Sequence, residues 1–272
     1  MEQNQNMSLG FAVKSVAINF ISWAIVSNLI RLSINFQTYA QFTIIDGTIR
    51  GFFAIPAILV LGKITQSSGL KLTFTIKGFK KGIFAHTIML LPLLAIPFIL
   101  ISIPEAQLSF NNVTPWLLPM VIFDIGNAVW EEALWRGVLM SGILIKWSST
   151  WETPGTVNKR IIFMLVCSVA FGTVHFSGGL LHIAYAAIMG TVFSSAYIYS
   201  KNLLACITVH AILNYIFRTV FFMFYDTDIG MMFFERVLIV NIFSGIAVIP
   251  FAIYLTAKAE AFSLNLPSEN TD

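Results

Sequence analysis

Apolar runs of about 20 residues, the length that crosses a hydrocarbon core, recur along this chain with only short polar segments between them. A backbone inside hydrocarbon must pair its own N–H and C=O groups, and helices do this within each run. Only 11% of the residues are charged and 57% are hydrophobic, against about 25% charged in an average soluble domain, so a water-soluble fold is excluded. The pattern predicts an all-α, polytopic membrane helix bundle of about eight transmembrane helices, near residues 11–31, 42–62, 83–103, 116–145, 161–180, 183–200, 203–225 and 233–257. No repeat, heptad array or long polar segment divides it, so residues 1–272 read as a single membrane-embedded domain.

Basic residues orient such a bundle, because cytoplasmic segments carry an excess of Lys and Arg. Lys63, Lys71, Lys77, Lys80 and Lys81 crowd between the second and third runs, which marks that segment as cytoplasmic. Eight crossings then put Lys146, Lys159, Arg160, Lys201 and both termini on the same side. The segments around Glu105 and around Asp226 and Asp228 fall outside, without basic residues of their own. The expected location is a multi-pass protein of the bacterial cell membrane with both termini cytoplasmic. The net charge of +3 sits in these short segments, so the partner is the lipid bilayer and no nucleic-acid role is read. Cys167 and Cys206 lie in apolar runs without CxxC spacing and read as small buried hydrophobes. The sequon Asn112-Val113-Thr114 carries no weight.

A charge at the centre of a membrane helix costs about 2.5–3.5 kcal/mol on insertion scales, so each one needs a partner or a purpose. In the second run, Asp46 and Arg50 are spaced to pair at i, i+4. The fourth run carries Asp124, Glu131, Glu132 and Arg136. Glu132 and Arg136 have the same i, i+4 spacing, which leaves Glu131, about 100° further round, to face something else. The fifth run ends in Phe171-Gly172-Thr173-Val174-His175, where a ring stacks beside an imidazole. The seventh holds His210-Ala211-Ile212-Leu213-Asn214, with two hydrogen-bond donors on one face. Singly, each group reads as interhelical glue; together they favour a functional site, because ionisable groups in membrane spans are functional by default. His86 and His182, near helix ends, read as interfacial or packing residues. There is no HExxH, no GxSxG, and no second aspartate at matching depth for Asp124 or Asp226.

Glu131-Glu132 with Arg136, Phe171 with His175, and His210 with Asn214 resemble, in order and spacing, the EExxxR, FxxxH and HxxxN motifs of the CAAX prenyl protease and bacteriocin-processing family (CPBP, or Abi). The resemblance runs over about residues 116–216. Trp135 stands where many members have Phe, a difference of packing. The resemblance implies an intramembrane glutamic endopeptidase acting on membrane-associated peptide or protein substrates without cofactor or metal. In it Glu131 and His175 activate water, His210 and Asn214 hold the oxyanion, and Glu132, Arg136 and Phe171 support them. Two alternatives stay open. Glu131, His175 and His210 could bind zinc with water in the fourth position, or the chain could be a non-enzymatic membrane protein of bacteriocin self-immunity or scaffolding.

Overall fold

The computed structural model of the chain describes residues 2–34, 39–68, 75–101, 117–143, 156–223 and 228–259. Among these, every regular element is helical. The order is α1 (Glu2–Ser33), α2 (Tyr39–Ser68), α3 (Ile76–Ile101), α4 (Leu117–Glu132, continued by a π-helical segment Ala133–Met140), α5 (Thr156–Thr173), a 3₁₀ turn (Phe176–Gly178), α6 (Gly179–Ser200), α7 (Leu203–Met223) and α8 (Asp228–Lys258). The all-α membrane bundle expected from the apolar runs is the architecture found. Leu9–Ser33, Ile44–Thr65, Gly179–Ser200 and Leu238–Lys258 are each long and apolar enough to span a membrane, and α7 carries a shorter apolar stretch, Leu203–Thr219. Ile18, Ile21, Ile25, Leu29 and Leu32 on α1 are exposed, as a lipid-facing stripe requires.

Several boundaries differ from the sequence expectation. At 1.5 Å per residue the 30 residues of α2 reach about 45 Å, beyond a hydrocarbon core of about 30 Å, so polar helix ends project from it. Lys63 therefore sits on α2, and Lys77, Lys80 and Lys81 sit on α3, where a longer loop was expected. Lys71, Glu105, Lys146, Asp226 and the Asn112 sequon lie outside the described residues. The fourth helix is not uniformly α-helical, since its turns from Ala133 to Met140 widen to π geometry. Nor does the fifth run to residue 180. It stops at Thr173, the chain turns through Phe176–Gly178, and Gly179 takes φ +79°, a left-handed conformation open to glycine without strain.

Packing places these helices around one interior. Helices α2 and α4 cross at Gly47 and Gly126, where a Cβ on Gly126 would collide with the Gly47 carbonyl oxygen and one on Gly47 with the Phe123 backbone. Small residues are what let membrane helices approach so closely. Helix α6 packs against α3, α5 and α8, and α7 packs against α4. Buried residues of the π segment, including Leu134 and Val138, join one apolar cluster with Phe163, Phe171 and Tyr197. A second cluster around Met89, Phe193 and Val248 ties α3, α6 and α8 together.

Candidate active site

Glu131 and Glu132 are both buried at the end of α4. The two Glu131 oxygens have different surroundings. Oε1 accepts from Arg50 Nη1 at 3.2 Å, whereas Oε2 lies 3.7 Å from His210 Nε2 and 4.0 Å from His175 Nε2. Those last separations are too long for direct hydrogen bonds but leave either nitrogen within reach of a water shared with the carboxylate.

Each imidazole is held by its other nitrogen. His175 Nδ1 donates to the Phe171 carbonyl at 2.8 Å, and a carbonyl can only accept, so the neutral ring presents its Nε2 lone pair toward Glu131. The Phe171 ring lies 4.7 Å from the imidazole, centroid to centroid, so both the ring and the backbone of one residue fix His175. His210 Nδ1 donates to Glu132 Oε1 at 2.7 Å, and its ring stacks on Phe193 with centroids 4.8 Å apart. The same Glu132 oxygen accepts from Arg136 Nη1 at 3.1 Å. Arg136 itself is fully enclosed, its guanidinium 4.4 Å from the Phe171 ring centre and 5.4 Å from that of Phe193, with Nη2 donating to the Gly190 carbonyl.

These side chains meet at a cavity of about 280 Å³ lined by Glu131, His175, His210 and Asn214, together with Arg50 and Arg218. Four residues singled out from sequence are thus brought to one space by α4, the α5 terminus and α7. The fourth of them, Asn214, lies one turn beyond His210 on α7. Glu132, Arg136 and Phe171 stand behind, with Phe171 also reaching the wall. The two glutamates were expected to diverge round the helix, yet His210 spans them, its Nδ1 on Glu132 and its Nε2 toward Glu131. Among the described residues, no group of three His, Cys, Asp or Glu side chains is arranged to hold a metal ion.

Sequence reasoning missed several participants. Arg50 and Asp46 do pair at 2.9 Å, but Arg50 goes on to Asn127 and Glu131; its intramembrane charge was the available signal, spent on a local partner. Arg218 binds Asp124 at 3.0 Å. It continues the four-residue spacing of His210 and Asn214 along α7, a periodicity that would have pointed to it. His182, expected at a helix end, lines the cavity with its ring 5.4 Å from that of His175, because the turn at Phe176–Gly178 folds α6 back beside α5. His86, read as interfacial or packing, takes the packing role away from the cavity: it is wholly buried, with Nδ1 donating to the Gly82 carbonyl at 2.8 Å and its ring 5.2 Å from that of Phe193.

Residues 113–216 match the family model described as type II CAAX prenyl endopeptidase, Rce1-like. All three motifs fall inside the matched segment, and the resemblance read from them is borne out. The family is one of proteases, which supports peptidase chemistry in a membrane-embedded chain. No curated protein and no solved structure matches.

Proposed function

We propose, from the endopeptidase-family match over residues 113–216, that this chain is an intramembrane endopeptidase of the glutamic type that hydrolyses peptide bonds of membrane-associated substrates. The observation that carries this reading is the convergence of Glu131 from α4, His175 from the turn that follows α5, and His210 from α7 on one cavity. A water between Glu131 Oε2 and His175 Nε2 gives its proton to Glu131 as its oxygen attacks the scissile carbonyl carbon. The carbonyl oxygen becomes an oxyanion facing His210 and Asn214. Collapse of the tetrahedral intermediate breaks the C–N bond, and the proton held by Glu131 passes to the departing amine. Because His210 already donates Nδ1–H to Glu132, it offers a second donor at Nε2 only as the imidazolium, a cation flanked by carboxylates on both sides. Glu132, Arg136 and Phe171 hold the two imidazoles in place.

The matched family's description names CAAX prenyl endopeptidases, so a prenylated C-terminal peptide is the first substrate class to test, with bacteriocin leader peptides second. We place both termini and the segment around Lys77 on the cytoplasmic side, on the loop-charge asymmetry. The deciding experiment compares membrane and secreted peptides from cells expressing wild-type protein or Glu131→Gln, alongside cleavage of a farnesylated C-terminal tetrapeptide by the purified proteins. Glu131→Gln should preserve fold and insertion while lowering cleavage by about 10²- to 10⁴-fold, as loss of a general base does. Well-folded Glu131→Gln with undiminished biological activity would instead support a non-enzymatic role. Stoichiometric zinc with reversible chelator inactivation would replace the water-activation scheme by a metal one.

A further inference from the structure

Arg50 belongs to α2, outside the matched segment of residues 113–216, yet it makes the closest cationic contact to Glu131 among the described ion pairs. Its guanidinium is held by Nε, by Nη1 and by the rings around it. Nε donates to Asp46 Oδ2 at 2.9 Å, and the other Asp46 oxygen accepts from Ser27 Oγ at 2.9 Å. Nη1 donates to both Asn127 Oδ1 and Glu131 Oε1. The aromatic rings of Trp23, Trp130 and Phe123 surround it, with centres 4.6, 5.3 and 5.7 Å away. Trp130 is itself anchored, since its indole N–H donates to Asn19 Oδ1 at 2.9 Å. Helices α1, α2 and α4 therefore cooperate in fixing one cation against one oxygen of one carboxylate.

We propose that Arg50 is a positioning residue for Glu131: it ties Oε1, so that Oε2 is the oxygen presented to the cavity and to the two imidazole Nε2 atoms. The proposal rests on Glu131 being the working carboxylate. A pair with Asp46 alone would satisfy Arg50 as a structural i, i+4 bridge, and the additional Nη1 contact to α4 is what that role does not require. The terminal torsion of a glutamate is broad and nearly two-fold, so without Arg50 no direct hydrogen bond among the described contacts fixes the plane of the carboxylate toward the imidazoles. Lysine is a poor replacement, because it keeps the charge but lacks the planar fork that reaches Asp46 and Glu131 together and stacks among the rings.

The test is a stability cycle and a kinetic split on the full chain in detergent. Melting temperatures are measured for wild type, R50Q, E131Q and the double variant. If Arg50 balances and holds Glu131, the losses are not additive: the double variant is no less stable than R50Q, because E131Q removes the charge that R50Q leaves uncovered. In cleavage of a farnesylated C-terminal tetrapeptide, R50Q should lower kcat by about 10²-fold, the scale of a small misplacement of reacting groups, with KM unchanged and partial recovery in R50K. Additive melting losses, or R50Q protein with undiminished kcat, overturns the proposal. Should R50Q not fold, R50K is read by its kcat: a loss with KM unchanged supports the proposal, because the charge is kept and only the planar fork is removed, and an undiminished kcat overturns it. The cycle needs no substrate, so failure of the wild-type protein to cleave the tetrapeptide counts against the peptidase reading alone.

Discussion

Arg136→Met is the substitution whose consequence follows most directly from the geometry. Arg136 and Glu132 are buried, at 1% and 0% side-chain exposure, and are joined at 3.1 Å. Among the described residues, removing the guanidinium leaves Glu132 with one polar partner, His210 Nδ1, while its Oε2 is already buried without one. Breaking a buried pair from one side costs about 3–5 kcal/mol, chiefly through the charge left behind. Loss of the stacking on Phe171 and Phe193 adds to this. At roughly 2–4 °C per kcal/mol, the melting temperature in detergent should fall by about 10 °C. A second variant, Glu132→Gln with Arg136→Met, should recover part of the loss because no ionised carboxylate remains to be covered. Fluorescence-detected size-exclusion chromatography after heating reads both. Arg136→Met melting with the wild type, or a double variant as damaged as the sum of the singles, would refute the buried-pair argument.

Other substitutions probe different parts of the site. Asn214→Ala should lower kcat by about 10²- to 10³-fold if its amide serves the oxyanion, read in single-turnover cleavage against a fold control; a loss under twofold would remove that role. Gly126→Ala should force α2 away from α4, since its methyl would meet the Gly47 carbonyl oxygen. It should lower both the melting temperature and cleavage, because the Arg50 contact to Glu131 spans that crossing; an unchanged enzyme would show the crossing to be slack. A cysteine introduced at Lys77 should resist impermeant maleimide applied to intact cells and react after permeabilisation, and labelling from outside would invert the topology. Chelators should leave cleavage intact if water is activated by Glu131 and His175, as measured by activity after prolonged EDTA dialysis together with metal analysis.

How legible the protein was from its sequence depends on the range of each interaction. Apolar runs long enough to cross a membrane dictate helices whatever their neighbours, because the backbone must satisfy itself in hydrocarbon. Pairs one turn apart on a helix follow from its period alone. Asp46 with Arg50, Glu132 with Arg136, and Phe171 with His175 all form as their spacing required. Helix ends were less legible: the turn at Phe176–Gly178 that brings His182 to His175 falls inside a run read as helical to residue 180, although Ser177-Gly178-Gly179 was the signal for it. The widened turns after Glu132 left no trace in the residue pattern either. Which carboxylate oxygen meets which ring was beyond sequence altogether. Glu131 lies 81 residues from Arg50, and His210 lies 78 from Glu132; those contacts exist only because α2 and α4 cross at two glycines and α7 packs against α4. Local periodicity states which residues share a helix face, but the packing of one helix on another decides what that face meets.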